Sequence, residues 1–348
     1  MSAHGGNIYD FAAPDEIVDF SSNINPYGPP ACGMDAAKAA LGLISRYTDA
    51  GQTAIKNVFS NWLEVDPDRF VFGNGASELI SAVIAALRPS RLVTVAPTFA
   101  DYAKSARRLD VPVAEIGTHA VDGFAFPLSE IEETLSGGDL FIACQPNNPT
   151  GRAWTEGELR ALSAVCASRG GWLMVDECFM NLTHPRAFSC LSLTDERALV
   201  LRAITKEFSA PGLRVGFVIS EPGTALQIRD AIQSWPLNCV GEAFAIACAS
   251  NPEPFLSDSA KKISVERARL TKGLKILGYR PYPAAANFIL AQSAKRPASL
   301  LYERLHGKKI LIRRCANFSG LDDWHFRIAV HDTADNDAFL CALASIMD

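Results

Sequence analysis

The sequence lacks the segments that direct a chain into or across a membrane. No apolar run approaches the about 20 residues that a bilayer-spanning helix needs. Residues 1–7 contain no basic stretch followed by an apolar one, as a secretory signal would. The nine cysteines form no C-x-x-C pair and are odd in number, so they indicate neither a zinc site nor a disulfide framework. We expect a cytoplasmic protein with no bound metal and no membrane partner.

The chain also lacks a large charge of either sign. Its net charge is −5, and its basic residues are scattered apart from short pairs such as those at 107–108 and 313–314. This balance provides no basic surface for nucleic acid or for an anionic membrane, so neither is expected as a partner. Hydrophobic residues make up 48% of the chain, as in ordinary globular proteins. The 348 residues can form one large domain with its own core and a smaller second domain.

Short apolar runs alternate with helical segments through much of the chain. Five of these runs have the length of buried strands: 70–72, 91–95, 140–144, 172–175 and 198–201. This alternation is typical of an α/β fold with a mostly parallel sheet that is covered by helices on both faces. The later strands and helices suggest a small α+β domain, and the first thirty residues, rich in Gly, Pro and Asn, favour an extended arm with turns. We therefore predict three parts: an arm (1–30), a large domain (31–240) and a small C-terminal domain (241–348).

Residues with useful chemistry follow several of these strands. They are Gly75, Phe99, Asn148, Asp176 and Lys206. Ligands of parallel sheets bind beyond the carboxyl ends of the strands, so we expect these residues to share one site. A glycine-rich turn before a helix offers free backbone N–H groups and the helix dipole to an anion. A lysine that leaves a buried strand is desolvated, which lowers its pKa and favours a Schiff-base nucleophile.

Three motifs, taken in order and spacing, resemble the fold-type I pyridoxal-phosphate (PLP) enzymes over essentially the whole chain. They are NNPTG at 147–151, DE at 176–177, and Lys206 with Arg214 eight residues later. Three further segments resemble the threonine-phosphate decarboxylases of cobalamin biosynthesis and the related histidinol-phosphate aminotransferases: HGGNI at 4–8, DFSSNINP at 19–26 and ILIRRCANF at 310–318. The resemblance implies the fold-type I PLP-dependent transferase fold and PLP as the cofactor.

The resemblance also implies a role for single residues around PLP. Lys206 forms the covalent bond to the cofactor and later moves protons, and Asp176 pairs with the pyridinium nitrogen. Asn148 donates to the phenolic oxygen of the ring, and Phe99 stacks on its face. The cofactor phosphate is assigned to Gly75, Ala76, Ser77, Thr205 and Arg214 of the same chain and to Tyr47 of the neighbouring subunit. This last assignment implies a homodimer with shared active sites.

Two residues depart from the pattern of many relatives. Ala203 stands where a phosphate-binding serine often precedes the lysine by three positions, so that hydrogen bond is missing or comes from Thr205. Phe179 stands where many aminotransferases carry a tyrosine that touches the ring oxygen. The decarboxylase subgroup shares this phenylalanine, which favours a decarboxylase.

The resemblance places four polar residues on the substrate side. They are His4, Asn25, Arg313 and Arg327. Two arginines can each bind a phosphate or a carboxylate through two parallel hydrogen bonds, so a small phosphorylated amino acid fits. PLP chemistry breaks the Cα bond that is held perpendicular to the ring, and the sequence leaves open which bond that is.

The leading hypothesis is decarboxylation of L-threonine O-3-phosphate to (R)-1-amino-2-propanol O-2-phosphate in cobalamin biosynthesis. A histidinol-phosphate-type aminotransferase is the nearest alternative. A serine-phosphate decarboxylase is a close variant, because one methyl group discriminates by only about 1–3 kcal/mol. A PLP-binding regulatory or scaffolding protein without turnover is the alternative from another class.

Overall fold

The computed structural model describes residues 5–194 and 197–346. Its first strand is β1 (Val18–Asp19), which lies in the N-terminal arm. Phe20, which follows β1, is fully buried and stacks on the His331 ring with centroids 4.2 Å apart. The arm is therefore not only extended but also packed at Phe20. Burial of this large apolar side chain stabilises the packed position.

A seven-stranded sheet forms the centre of the large domain. Its strands are β2 (Phe70–Gly73), β3 (Arg91–Ala96), β4 (Val113–Gly117), β5 (Asp139–Cys144), β6 (Trp172–Asp176), β7 (Ala198–Ala203) and β8 (Gly216–Ile219). Their order across the sheet is β2-β8-β7-β6-β5-β3-β4. Only β8 runs antiparallel to its two neighbours, so the prediction of a mostly parallel sheet is confirmed.

Helices cover both faces of this sheet. They are α1 (Ala31–Ala40), α2 (Thr53–Leu63), α3 (Ala76–Leu87), α4 (Asp101–Arg108), α5 (Leu128–Thr134), α6 (Glu156–Ser168), α7 (Ile204–Glu207), α8 (Pro222–Asp230) and α9 (Cys239–Ala249). Successive residues of β5 alternate between the faces: Leu140 and Ile142 pack in one apolar cluster, and Phe141 in another. The continuous apolar strands of the sequence are thus buried on both sides.

The C-terminal part is a smaller α+β unit. It contains α10 (Glu253–Ile276), β9 (Arg280–Pro281), β10 (Phe288–Gln292), α11 (Ala298–His306), β11 (Ile310–Leu311), β12 (Arg313–Arg314), β13 (His325–Ala329) and α12 (Thr333–Ser345). Four strands form an antiparallel sheet in the order β12-β13-β10-β9, and β11 pairs in parallel with β1 of the arm. Over the described residues, no helix has the length and apolar character needed to cross a bilayer.

Candidate active site

A cavity of about 330 Å³ lies at the carboxyl ends of the central strands, beneath the C-terminal sheet and the arm. The structure brings most of the predicted site residues into its wall: Ala76, Ser77, Phe99, Asn148, Asp176, Thr205, Lys206, Arg214, Arg313 and Arg327. Gly75 lies directly behind this wall, beside Arg214. Tyr47 and Asn25 are not among the described residues that line the cavity, and His4 lies outside the described residues.

The turn between β2 and α3 forms one end of the cavity. Gly75 has a φ of +81°, and a Cβ there would lie 2.8 Å from Arg214 Cζ, so only glycine allows the guanidinium to approach. Ala76 and Ser77 begin the 12-residue helix α3, whose first N–H groups have no partner inside the helix. Free N–H groups, a helix dipole and a guanidinium together make an anion site. Thr205 adds a hydroxyl side chain to the wall that Ala203 also lines.

Asp176 ends strand β6 at the base of the cavity. Its Oδ1 accepts from the backbone N–H of Cys178 at 3.0 Å, and its Oδ2 accepts from the Tyr102 hydroxyl at 2.6 Å. Burial raises the pKa of Asp176, and the hydrogen bonds from Cys178 and Tyr102 oppose that shift. A buried carboxylate with this arrangement pairs well with a cation, because pairing removes much of the cost of its burial.

Lys206 lies in the single turn of α7, directly after β7. Desolvation in the cavity and, next in size, the positive charge of Arg327 lower the pKa of Lys206 to about 8. A larger share of the amine is therefore neutral near physiological pH than for a solvated lysine. A neutral amine in a cavity is the form that attacks a carbonyl carbon.

Asn25 lies behind the lysine rather than in the cavity wall. Its backbone N–H donates to the Lys206 carbonyl at 3.0 Å, its Nδ2 donates to the Glu207 carbonyl at 2.9 Å, and its Oδ1 accepts from Tyr27 N at 3.2 Å. The structure thus uses this side chain to hold the turn that carries Lys206. Asn23 lines the cavity, and its buried Oδ1 has no hydrogen-bond partner among the described residues. The two asparagines lie two positions apart, and nothing in the sequence indicates which of them lines the cavity.

The two arginines predicted on the substrate side are opposite each other in adjacent strands. Arg313 of β12 pairs in register with Arg327 of β13. Arg327 donates through Nη1 to Asn148 Oδ1 and through Nη2 to the Ser21 carbonyl at 2.7 Å. Both acceptors are neutral, so they do not cancel the charge of this buried guanidinium, whose pKa burial lowers to about 10. Burial also lowers the pKa of Arg313, whose Nη2 donates to Asn317 Oδ1 at 2.8 Å. The pair offers two cationic groups to an anionic ligand.

Aromatic rings close the remaining walls. Phe99 meets Tyr102 edge to face, with centroids 5.5 Å apart, and Phe179 meets Phe288 in the same manner at 5.1 Å. Phe318 lies under the guanidinium of Arg313, 5.0 Å from ring centroid to Cζ. Tyr102 is not among the site residues predicted from the sequence. Its position three residues after Phe99, at the start of a helix, indicates that the two side chains point in the same direction.

Tyr47 is largely exposed on the surface of its own chain. Its side chain is 81% exposed, and its ring stacks on Trp235 with centroids 4.5 Å apart. The predicted contact of Tyr47 with a phosphate in the neighbouring subunit stays a prediction.

Glu207, the residue after the cavity lysine, is a buried carboxyl group. Its Oε2 accepts from Asn181 Nδ2 at 2.7 Å, and its Oε1 has no hydrogen-bond partner among the described residues. Burial raises the pKa of Glu207 from 4.5 to about 7, against the opposing effects of the Arg202 charge and the Asn181 hydrogen bond. Between these two pH values the folded protein holds a proton that the unfolded chain releases.

We therefore expect Glu207→Gln to raise the free energy of unfolding by about 1–3 kcal/mol at pH 8 and to change it much less at pH 5. The folded pKa lies above the unfolded one, so the stability from the neutral carboxyl is complete below pH 4.5 and lost as the pH rises through about 7. Glutamine keeps an acceptor for Asn181 and does not ionise. Urea unfolding at both pH values measures the effect, with exposed Glu133→Gln as control. A difference independent of pH would contradict it.

The geometry of the large domain and its cavity defines a class of protein, the PLP-dependent enzymes of fold type I. A scan of protein families agrees: the chain belongs to the aminotransferase class I and II family, whose model matches residues 15–343. Its cofactor is accordingly PLP.

Relatives with two different activities match nearly the whole chain. It is 31% identical to the threonine-phosphate decarboxylase of Salmonella typhimurium, over 99% of this chain and 97% of that protein. It is 29% identical to the histidinol-phosphate aminotransferase of Bacillus subtilis, over 96% and 92% of the two chains. The solved histidinol-phosphate aminotransferase from Clostridium acetobutylicum has a TM-score of 0.88 at 28% identity, covering 94% of this chain and 98% of that one.

The fold is shared with a decarboxylase structure as well. The L-threonine-O-3-phosphate decarboxylase from Porphyromonas gingivalis has a TM-score of 0.85, with 95% of this chain and 99% of that one covered. Its identity of 21% shows a common fold alone. These comparisons establish the family and leave the reaction to be argued from the site.

The residues of the cavity fit PLP. The Arg214 guanidinium, which the missing Cβ of Gly75 admits, and the start of α3 suit the phosphate. Asp176 presents a buried carboxylate to a ring nitrogen, and Lys206 presents an amine of lowered pKa to an aldehyde. Asn148 is placed for the phenolic oxygen while it also accepts from Arg327.

Proposed function

We propose that this enzyme decarboxylates L-threonine O-3-phosphate to (R)-1-amino-2-propanol O-2-phosphate, a step of cobalamin biosynthesis. The observation that carries the proposal is the register pair Arg313 and Arg327 above the lysine cavity. A phosphorylated amino acid has two anionic ends, a phosphate and a carboxylate, and two buried guanidinium groups can bind both. The relative of 31% identity, a threonine-phosphate decarboxylase, supports this choice.

Five residues of the cavity wall have a part in this reaction. When bound, PLP acts as the sink for the electrons of the bond that breaks. Asp176 holds a proton on the ring nitrogen through its buried carboxylate, and Lys206 accepts or donates a proton at Nζ. Arg313 and Arg327 hold the anionic ends of the substrate, and Asn23 offers its unpartnered Oδ1 to the substrate amine or hydroxyl hydrogen atoms.

The binding of the two anions also selects the reaction. The bond perpendicular to the cofactor ring is the one that overlaps its π system, so the positions of the phosphate and carboxylate decide whether CO₂ or a proton leaves. Phe179 lines the cavity and has no hydroxyl to offer to the ring oxygen. Its resemblance to the decarboxylase pattern at this position favours loss of CO₂.

The test is a comparison of three substrates on the PLP-loaded protein: threonine phosphate, serine phosphate, and histidinol phosphate with 2-oxoglutarate. We expect CO₂ from threonine phosphate in equal amount to aminopropanol phosphate, with slower release from serine phosphate. The histidinol-phosphate aminotransferase is the second candidate, because relatives of that activity match at 29% and 28% identity. Conversion of histidinol phosphate that requires the keto acid, with no CO₂ from threonine phosphate, would favour it.

The enzyme is proposed to act as a homodimer with shared active sites in the cytoplasm. The segment 41–47 carries several large exposed apolar side chains, and one of them stacks on an exposed tryptophan of a distant segment: the residues are Leu41, Leu43, Ile44, Tyr47 and Trp235. Exposed apolar side chains concentrated in one segment in this way are typical of a protein interface. All nine cysteines lie within the described residues and are free thiols, which supports a reducing compartment.

Ile44→Asp is expected to convert the dimer to a monomer and to weaken PLP binding, because Tyr47 would no longer reach the partner's cofactor. The Ile44 side chain is 73% exposed in the single chain, so a buried charge arises only in the dimer. Light scattering after gel filtration gives the mass, and absorbance titration gives the PLP affinity. Val265→Asp, at a residue that is 68% exposed on α10, is the matched control. A dimer that survives Ile44→Asp would place the interface elsewhere.

A further inference from the structure

Tyr102 reaches the base of the cavity from helix α4. Its side chain is fully buried, packs in the apolar cluster under the sheet and carries one polar atom, the hydroxyl. That hydroxyl donates to Asp176 Oδ2 at 2.6 Å, which is a short hydrogen bond to a charged acceptor. Burial and the neighbouring Asp176 raise the pKa of Tyr102 well above its ordinary value, so the phenol keeps its proton and acts as a donor.

The contact matters because Asp176 is under two opposing influences. Burial raises its pKa and favours the neutral acid, which could not balance a positive ring nitrogen. Hydrogen bonds that the carboxylate accepts favour the ionised form. The backbone N–H of Cys178 supplies one of them, and this donor is present whatever the side chains are. The side chain of Cys178 also lowers the Asp176 pKa through a hydrogen bond, and the Tyr102 hydroxyl supplies a further one from a side chain 74 positions away in sequence.

The same contact fixes the direction of the carboxylate. Asp176 Oδ1 and Oδ2 are each held by a donor from a different element, so the plane of the group cannot rotate freely. Tyr102 also meets Phe99 edge to face, and Phe99 is the residue expected on the face of the cofactor ring. One side chain therefore links the carboxylate below the ring nitrogen to the aromatic wall beside the ring.

We propose that Tyr102 is a positioning residue, which keeps Asp176 ionised and aimed at the ring nitrogen of PLP through its hydroxyl. This inference rests on the role proposed for Asp176 and is independent of the substrate.

The test uses the PLP-loaded protein with Tyr102→Phe, which removes the hydroxyl and keeps the buried ring. We expect the PLP dissociation constant to rise about tenfold, as for loss of one hydrogen bond to a charged group. A less ionised Asp176 protonates the ring nitrogen less, and a less positive ring holds the proton on the lysine–cofactor nitrogen more tightly. The pH midpoint of the visible absorbance change should therefore rise by about one unit.

Tyr282→Phe is the matched control, because its hydroxyl is also hydrogen-bonded, at 3.2 Å to Gln292, but the residue follows β9 and is not among the described residues of the cavity wall. Asp176→Asn separates the inference from its premise. If Asp176→Asn changes the midpoint and Tyr102→Phe behaves like the control, the inference on Tyr102 is overturned while Asp176 keeps its role. If neither variant changes it, the role of Asp176 fails and the inference with it.

A double variant guards against a merely structural effect. In the Asp176→Asn background, Tyr102→Phe should cause no further change in midpoint or PLP affinity, because the carboxylate on which the hydroxyl acts is gone. Additive losses in the double variant would mean that Tyr102 acts through packing alone, and would overturn the proposal. The comparison of Asp176→Asn with the double variant also tests the role of the Tyr102 hydroxyl if the single Tyr102→Phe protein is recovered poorly.

Discussion

Lys206→Ala is expected to abolish the visible absorbance of the bound cofactor and to lower turnover by ~10²–10⁴-fold or more, since proton transfer by a positioned group alone contributes that much. The residue lies in the single turn of α7 and combines cavity exposure with a pKa of about 8. Its loss removes both the nucleophile that attaches PLP and the group that moves protons at the substrate.

Two controls make this result specific. Lys206→Arg keeps a positive charge, but its guanidinium does not deprotonate, so it should be as inactive as alanine. Lys56→Ala removes another buried lysine whose pKa burial also lowers, but which is not among the described residues of the cavity wall. That variant should retain the cofactor spectrum. Wild-type turnover by Lys206→Ala would show that the site has been placed wrongly.

Arg327→Ala is expected to lower kcat/KM for the phosphorylated substrate by roughly 30- to several-thousand-fold, the range for removing one partner of a buried charge pair. Arg327 is buried, and its two hydrogen-bonded acceptors, Asn148 Oδ1 and the Ser21 carbonyl, are neutral. An anionic substrate supplies the charge that these acceptors lack. Most of the loss should fall on KM, because the contact exists in the ground state as well.

The structure adds a second effect of the same substitution. The positive charge of Arg327 is the next largest cause, after desolvation, of the lowered pKa of Lys206. Its removal should raise the Lys206 pKa in the cofactor-free protein, and PLP should then attach more slowly at neutral pH. Arg327→Lys keeps a charge without the planar fork, so it should restore the rate of attachment more than the substrate affinity. An unchanged KM for Arg327→Ala would exclude it from the substrate site.

The large domain could be predicted because its strands are marked by apolar runs of a few consecutive residues. Strands buried on both faces require continuous apolar runs, and such runs are visible in the chain at 140–144 and 198–201. The carboxyl ends of parallel strands meet at one edge, so Asp176 and Lys206 were expected to be neighbours. In the structure both residues line the same cavity. The arm was predicted less well, since one apolar side chain, Phe20, outweighs the turn-forming residues around it.

The sequence by itself determined the family, the cofactor and the polar residues at the strand ends, because each depends on short motifs and on burial along one strand. The tertiary structure alone decided how distant residues meet. It paired Arg313 with Arg327 across a strand register, placed Asn23 rather than Asn25 in the cavity wall, and brought the Tyr102 hydroxyl to Asp176. The physical reason is that a hydrogen bond or a strand pair depends on side-chain directions and on contacts far apart in the chain, which local propensity does not encode.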